Sequence, residues 1–222
     1  MKIVVAGRSG RMGKEIEAVA ESAGITIAGG LGRQSGSLTE WISKNSRPDA
    51  VIDFSLPDAT IPLAEACAKF GVPLVSGVTG LSDADRAALV TAALRIPVLY
   101  SANMSVGVQR LMQALDALKG ADDFDFSIEE IHHRHKKDRP SGTALLLNDE
   151  LKVRTGRAAE DIVSLRGGGV VGTHRVLAIS ESESLIFEHT ALNRAVFARG
   201  ACRAARWIIG QPPGFYSLRD TL

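Results

Sequence analysis

The sequence has little of what marks secreted or membrane proteins. Its two cysteines, Cys67 and Cys202, lie far apart and within apolar helical patterns, which favours reduced, buried thiols over a disulfide framework. No apolar run approaches the ~20 residues that a membrane-spanning helix requires. The first six residues lead straight into a structural motif and not into a charged-then-apolar signal. We therefore expect a cytoplasmic protein.

Charge of either sign is not in excess. The 222 residues carry 26 Lys and Arg against 25 Asp and Glu, a net charge of +1, so nothing points to nucleic acid or an anionic membrane as partner. Hydrophobic residues at 45% and charged residues at 23% are typical of a globular protein. The length allows one large domain or two small ones.

Titratable nitrogen is concentrated in residues 127–147, SIEEIHHRHKKDRPSGTALLL. Three of the five histidines fall within four positions, interleaved with three cations: His132, His133 and His135 with Arg134, Lys136 and Lys137. The alternation of apolar and polar residues over 124–131 predicts a strand that ends at the histidines. Residues 144–153 have the pattern of a helix, and Ser141 or Thr143 would supply its N-cap.

A helix N-terminus beside Lys136 and several histidines suits an anion, most simply a carboxylate. Imidazole titrates near neutral pH, so the same group could transfer a proton. A solvated basic loop is the alternative. We expect no metal site, because adjacent histidines on a strand point to opposite faces and no cysteine lies nearby.

The N-terminus has the pattern of a dinucleotide-binding unit. An apolar run over 2–6 is followed at once by Gly7-Arg8-Ser9-Gly10-Arg11-Met12-Gly13, and helical spacing continues to residue 23. Glycines at such a turn allow backbone to approach a pyrophosphate closely. The alternative is a glycine turn in an α/β protein that binds no nucleotide.

The end of the second predicted strand, over 25–30, lacks the acid that usually binds a ribose 2′-hydroxyl. Gly32-Arg33 stands there instead, and an arginine without a competing carboxylate suits a 2′-phosphate. The sequence therefore predicts NADPH as the preferred cofactor, with NADH possible. A solvent-facing arginine is the alternative.

Strands alternate with helices up to Ser101, which predicts a parallel, doubly wound sheet. The loops at 7–13, 77–80 and 101–104 would then meet at one edge. Strands predominate after Asn103, so we expect a second, α+β domain from residue 104. The glycine run at 166–169 is interpreted as a turn between strands; a second phosphate loop is the alternative.

Five motifs together resemble the 4-hydroxy-tetrahydrodipicolinate reductase (dihydrodipicolinate reductase) family of lysine and diaminopimelate biosynthesis. They are GRSGRMG (7–13), GVTG (77–80), SANMSVG (101–107), EIHHRHKKDRPSGTA (130–144) and RGGGVVGTH (166–174). The resemblance implies a Rossmann domain over 1–103, to which 200–222 returns. It also implies a mixed-sheet substrate and oligomerisation domain over 104–199, and a homotetramer.

The resemblance further implies an activity and a site. The reaction would be NAD(P)H-dependent reduction of 4-hydroxy-tetrahydrodipicolinate, or of dihydrodipicolinate, to tetrahydrodipicolinate. His132 and Lys136 would be catalytic, and His133, Ser141, Gly142 and Thr143 would bind the substrate. The residues that would hold the cofactor are Gly7, Arg8, Ser9, Gly10, Arg11, Met12, Arg33, Gly77, Val78, Thr79, Ser101, Ala102, Asn103 and Met104.

The chain departs from the family pattern at a few positions. Gly32 stands where an acid is frequent, which favours NADPH, and Met104 replaces a frequent phenylalanine. Arg139 precedes Pro140 where alanine is common, so an added cation could strengthen carboxylate binding or point to solvent. Two other hypotheses stay open: a nucleotide-sensing protein without catalysis, and a related reductase of another acidic substrate.

Overall fold

The computed structural model describes residues 1–32 and 35–222. The chain divides into two compact units: Met1–Ser105 with Ala195–Leu222, and Val106–Arg194. The return to the first unit thus begins at Ala195, where a helix starts, and not at residue 200. The functions expected of the two parts, nucleotide binding and substrate binding with oligomerisation, stay predictions.

The elements follow the predicted alternation. The strands are β1 (Lys2–Ala6), β2 (Thr26–Leu31), β3 (Ala50–Asp53), β4 (Leu74–Ser76), β5 (Pro97–Tyr100), β6 (Asp125–His132), β7 (Asp161–Arg166), β8 (Gly172–Ile179), β9 (Ser184–Ala191) and β10 (Gly214–Tyr216). The helices are α1 (Arg11–Ala20), α2 (Leu38–Lys44), α3 (Thr60–Phe70), α4 (Asp83–Ala93), α5 (Val106–Ala114), α6 (Gly142–Thr155) and α7 (Ala195–Ile208). Among the described residues, no helix has the length and hydropathy needed to cross a bilayer.

The first unit is a Rossmann-like sheet in the order β10-β5-β4-β3-β1-β2, with every described pair parallel. Successive side chains of β1 are buried in hydrophobic cores on opposite faces of the sheet: Ile3 and Val5 on one face and Val4 on the other. Helices therefore cover both faces of the sheet. The chain reverses its direction of travel across the sheet at β1, which has β2 on one side and β3 on the other. Ligands bind beyond the carboxyl ends of strands at such a point.

Local signals explain where the helices of this unit begin and end. Ser37 with Glu40 and Ser82 with Asp85 form reciprocal capping boxes at the starts of α2 and α4. Gly71 ends α3 in the left-handed conformation, at φ +66°. These signals lie in the sequence, whose patterns predict a helix over 38–44 and another that starts at Asp83, and the structure confirms both.

Two elements differ from the sequence-based expectation. β10 was not predicted, because its three residues follow a Pro-Pro pair and gain strand structure only by pairing with β5. The sequence pattern over 106–119 predicts one long helix, but α5 ends at Ala114 and the chain continues as a 3-10 turn over Leu115–Leu118. That turn still buries Leu115 and Leu118 in the core of the second unit.

The second unit is a mixed sheet in the order β7-β6-β8-β9, in which β6 and β7 are parallel and the other pairs antiparallel. The buried residues of β6 are Phe126, Ile128, Glu130 and His132, so alternate positions face α5 and α6. α6 buries Leu147 and Leu151 against this face. The predicted mixed-sheet α+β architecture is confirmed.

Candidate functional site

Strand register gathers one set of buried polar residues on the helix-covered face of the second sheet. Glu130 lies opposite His174 of β8, and His132 lies opposite Arg166 of β7. Because side chains two residues apart share a face of a strand, Glu130 and His132 point the same way. The buried face therefore changes from apolar to polar at the carboxyl end of β6.

Glu130 connects His132 to Arg166. Its Oε2 accepts a short hydrogen bond from His132 Nδ1, and its Oε1 accepts one from Arg166 Nη2 at 2.6 Å. The Glu130 side chain is wholly buried, and the Arg166 side chain is only 3% exposed. Arg166 also donates to the Asp138 carbonyl at 2.6 Å, which ties the His-rich loop to the same pair.

The charge states follow from these contacts. Burial alone would raise the pKa of Glu130, but the hydrogen bonds from Arg166 and His132 help to lower that pKa to about 2. Burial lowers the pKa of His132, and Glu130 only partly opposes the effect. At neutral pH the arrangement is thus a carboxylate and a neutral imidazole, with the His132 proton on Nδ1 and a lone pair on Nε2.

A second buried histidine lies beside the first. The rings of His132 and His174 meet edge to face with centroids 5.0 Å apart, and burial lowers the pKa of His174 to about 3. His174 Nε2 is 3.3 Å from Ser141 Oγ. Gly172 leaves room for this pair, because a Cβ there would lie 3.0 Å from His132 Nε2.

Ser141 places the start of α6 next to these histidines. Its hydroxyl accepts from Ala144 N at 3.2 Å, so it is the N-cap, as one of the two predicted possibilities. The first turn contains no acidic residue, and Gly142 and Thr143 open the helix. The amide groups of this turn and the positive end of the helix dipole suit an anion.

The loop after β6 carries the remaining predicted residues. His133 N donates to Val170 O at 2.7 Å, so the loop lies along the glycine run, which is a turn between β7 and β8 as interpreted. Lys136 Nζ contacts Asp138 Oδ2 at 2.7 Å. Asp138 was not predicted as the partner of Lys136.

Arg139 and Arg194 complete the basic surroundings. Arg139 is exposed, and Arg194 Nη2 lies 3.5 Å from His133 Nε2. Within residues 1–32 and 35–222, no group of three His, Cys, Asp or Glu side chains could hold a metal ion. The second unit can thus bind a multiply charged anion beside a buried, oriented imidazole.

The glycine turn of the first unit fits a pyrophosphate. Gly7 has φ +77°, and a Cβ there would lie 2.5 Å from Phe54 O, so no other residue fits without moving the backbone that follows β3. A Cβ on Gly13 would overlap the Arg8 backbone, which keeps the turn close to α1. Gly10 is the N-cap of α1 and has no side chain to occupy the first amide groups, and no acid lies in the first turn.

The other predicted cofactor loops of this unit lie at the same edge of its sheet. Gly77 N donates to Asp53 O at 2.9 Å, and Ser101 N donates to Ser76 O at 3.1 Å, so the ends of β3, β4 and β5 are linked in sequence. Val78, Asn103 and Met104 are buried, whereas Thr79 and Ala102 are exposed. Arg33 lies outside the described residues.

A cavity of about 410 Å³ adjoins the glycine turn. It lies at the carboxyl ends of β1 and β2, between α2 and α3, and its lining includes Ala6, Leu31, Leu38, Ser55, Pro62 and Leu63. A mostly apolar cavity of this size accommodates a flat heteroaromatic ring. The backbone amide groups of the glycine turn and this cavity together fit a dinucleotide.

Sequence reasoning missed Glu130, Arg166 and His174 as parts of the site. Glu130 could have been found, because it lies two residues before His132 on a predicted strand. Arg166 and His174 come from β7 and β8, and only the pairing of those strands with β6 brings them to His132.

Comparison with known proteins gives concordant matches over the whole chain. The family model described as "Dihydrodipicolinate reductase, N-terminus" matches residues 1–104, and the one described as "Dihydrodipicolinate reductase, C-terminus" matches residues 107–222.

Two relatives bear the name 4-hydroxy-tetrahydrodipicolinate reductase. The one from Bdellovibrio bacteriovorus is 43% identical over all of this chain and 96% of its own length, and the one from Zymomonas mobilis is 40% identical over all of this chain and 97% of its own. A solved structure of dipicolinate-bound dihydrodipicolinate reductase from Paenisporosarcina sp. TG-14 superposes with a TM-score of 0.80 at 20% identity. That match covers 100% of this chain and 99% of the other, and it shows the shared fold.

Proposed function

The chain belongs to the dihydrodipicolinate reductase family, and from that premise we propose that it reduces 4-hydroxy-tetrahydrodipicolinate, or dihydrodipicolinate, to tetrahydrodipicolinate with a nicotinamide cofactor. The product belongs to lysine and diaminopimelate biosynthesis. The observation that carries the proposal is the buried Glu130–His132 pair beside the amino end of α6. Reduction of a dicarboxylate requires a site for its anionic groups beside groups that handle a proton, here Lys136 as the donor and the neutral His132 as an acceptor.

The substrate's two carboxylates would be bound by groups of the second unit. His133 and the first turn of α6, with Ser141, Gly142 and Thr143, would hold them. The N-cap role of Ser141 orients the amide groups of that turn toward such a ligand. Arg139 is exposed on the same loop and adds positive charge that favours a dianion.

His132 and Lys136 would control the proton. The neutral His132 presents its Nε2 lone pair, because Glu130 accepts the Nδ1 proton. Lys136 would donate the proton that completes the reduction, and Asp138 holds its ammonium group at 2.7 Å until a substrate carboxylate competes for it. Each step uses a group whose partner is defined in the structure.

The bound nicotinamide would supply the hydride. The turn from Gly7 to Met12 would hold the pyrophosphate, while Gly77–Thr79 and Ser101–Met104 would border the nicotinamide. We expect NADPH to be preferred over NADH, because no acid follows β2 at Gly32 and Arg33 comes next.

A homotetramer would cover the open face of the second sheet. This face exposes Val163, Leu165 and Ile186, and the last is 59% exposed. A sheet with helices on one face and apolar side chains on the other is stabilised by a further layer. Light scattering after size-exclusion chromatography would give a tetramer mass; a monomer mass at micromolar concentration would contradict the assignment.

The experiment for the proposed function is cofactor oxidation with substrate generated in situ by the preceding enzyme of the pathway. We expect the absorbance of NADPH to fall only when that enzyme and both of its substrates are present. Deuterium from NADPH labelled at the nicotinamide C4 should appear in tetrahydrodipicolinate. Cofactor binding without oxidation or label transfer would refute the proposal.

A further inference from the structure

We propose that Arg8, in the glycine turn, is a determinant of NADPH specificity that binds the cofactor's 2′-phosphate; this inference rests on the proposed function. Arg8 follows Gly7 directly, at the carboxyl end of β1. A residue of the turn would ordinarily be expected to contact the pyrophosphate. The direction of the Arg8 side chain instead indicates contact with the 2′-phosphate.

The Arg8 side chain crosses the end of β2. A Cβ on Gly30, the next-to-last residue of that strand, would lie 2.5 Å from Arg8 Cδ and 2.8 Å from Arg8 Cβ. The aliphatic part of the Arg8 side chain therefore packs against Gly30, which has no side chain to obstruct it. The carboxyl end of β2 is where dinucleotide-binding folds recognise the adenosine ribose.

The charges at this position favour a phosphate. Neither Leu31 nor Gly32 supplies the carboxylate that would bind a 2′-hydroxyl and repel a 2′-phosphate. Arg8 Nε contacts Glu17 Oε1 of α1 at 2.5 Å, and the two side chains are 44% and 37% exposed. An exposed ion pair contributes little stability, so a phosphate dianion can displace Glu17 from the guanidinium.

Glu17 thus has two effects in this arrangement. It orients the Arg8 side chain along Gly30 in the free protein, and it competes with the 2′-phosphate for the same donors. NADH has no group to compete with Glu17, so its affinity should be independent of the pair. The prediction is a difference between cofactors, and not a general loss of binding.

The test is titration of the full chain with NADPH and with NADH, without substrate, followed by the fluorescence of the reduced nicotinamide. Arg8→Met keeps the stem over Gly30 and removes the charge. We expect its dissociation constant for NADPH to rise about 10- to 100-fold, the loss of one charge-assisted contact, and that for NADH to change less than about threefold. Glu17→Gln should tighten NADPH and leave NADH unchanged.

Gly30→Ala displaces the Arg8 stem without removing charge and should also weaken NADPH selectively. Lys14→Met removes an exposed cation from the same helix and is the matched control, with equal small effects on both cofactors. Equal losses of NADPH and NADH in Arg8→Met would assign the residue to the pyrophosphate and overturn the inference. So would weaker NADPH binding by Glu17→Gln. Because no substrate is present, these outcomes are independent of whether the proposed reduction occurs.

Discussion

Replacing Glu130 by glutamine should turn His132 Nδ1 from a hydrogen-bond donor into an acceptor. The carboxylate accepts from both His132 Nδ1 and Arg166 Nη2. A glutamine amide in the same place offers one acceptor and one donor. Because Arg166 can only donate, the amide oxygen turns toward it, and the amide NH₂ then faces His132. The imidazole must move its proton to Nε2 and lose the lone pair that the proposed mechanism uses.

The size of the effect can be worked from the buried pair. The pKa of Glu130 falls from 4.5 to about 2, which corresponds to roughly 3 kcal/mol in favour of the carboxylate. Removing one partner of a buried pair costs about 3–5 kcal/mol. At roughly 2–4 °C per kcal/mol for a chain of this length, Glu130→Gln should lower Tm by roughly 6–20 °C. Loss of the oriented imidazole should lower kcat by about 10²- to 10⁴-fold.

The assay is NADPH oxidation over a range of pH, together with thermal unfolding and cofactor titration. Glu129→Gln is the matched control, because Glu129 pairs with a partly exposed Arg175 at 2.7 Å and lies on the opposite face of β6. The control should keep kcat within about threefold, since exposed pairs contribute little. A folded Glu130→Gln enzyme with wild-type kcat and an unchanged pH profile would refute the role of Glu130 in orienting His132.

Two further predictions concern stability. A Cβ on Gly200 would overlap Met104 O within the first unit, so Gly200→Ala should cost about 1–3 kcal/mol, while Gly169→Ala, whose Cβ meets no atom within 4 Å, should leave Tm nearly unchanged. Equal Tm values for the two variants would contradict this packing. The unfolded chain protonates His174 near pH 6.5 but the folded chain only near pH 3, so stability should fall as pH drops through this window, by about 2 kcal/mol at pH 5 from His174 alone. In denaturant unfolding, the free energy of unfolding of His174→Asn should fall less steeply with decreasing pH than that of the wild type. An equally steep fall in the variant would refute the assignment of this pH dependence to His174.

The sequence predicts the fold well where local signals are strong. The glycine turn after β1, the capping box at Ser82 and the alternation of strands with helices all follow from short-range patterns. β10 was missed because three residues carry no periodicity, and its structure depends on pairing with β5. The return of the chain to the first unit was an implication of family resemblance and not of any local pattern.

The residues of the candidate site also fall into those that a local sequence pattern predicts and those that only the fold brings together. The cluster of His132, His133 and Lys136 and the cap at Ser141 are visible in a single stretch of sequence. The contact of Arg166 with Glu130 is not, because 36 residues separate them and only the register of β6 with β7 brings them together. Sequence reasoning therefore predicts the groups proposed to touch a ligand, whereas it missed the buried charges beside them.

The most direct test of the central claim, that the His-rich loop delivers the proton in a nicotinamide-dependent reduction, is the turnover of Lys136→Met measured beside its cofactor affinity. Lys137→Met is the control, because Lys137 is the exposed neighbour of the same charge. We predict that Lys136→Met lowers kcat by about 10²- to 10⁴-fold while NADPH binds as in the wild type, and that Lys137→Met stays near wild-type activity. Full turnover in Lys136→Met, or equal losses in both variants, would contradict the account.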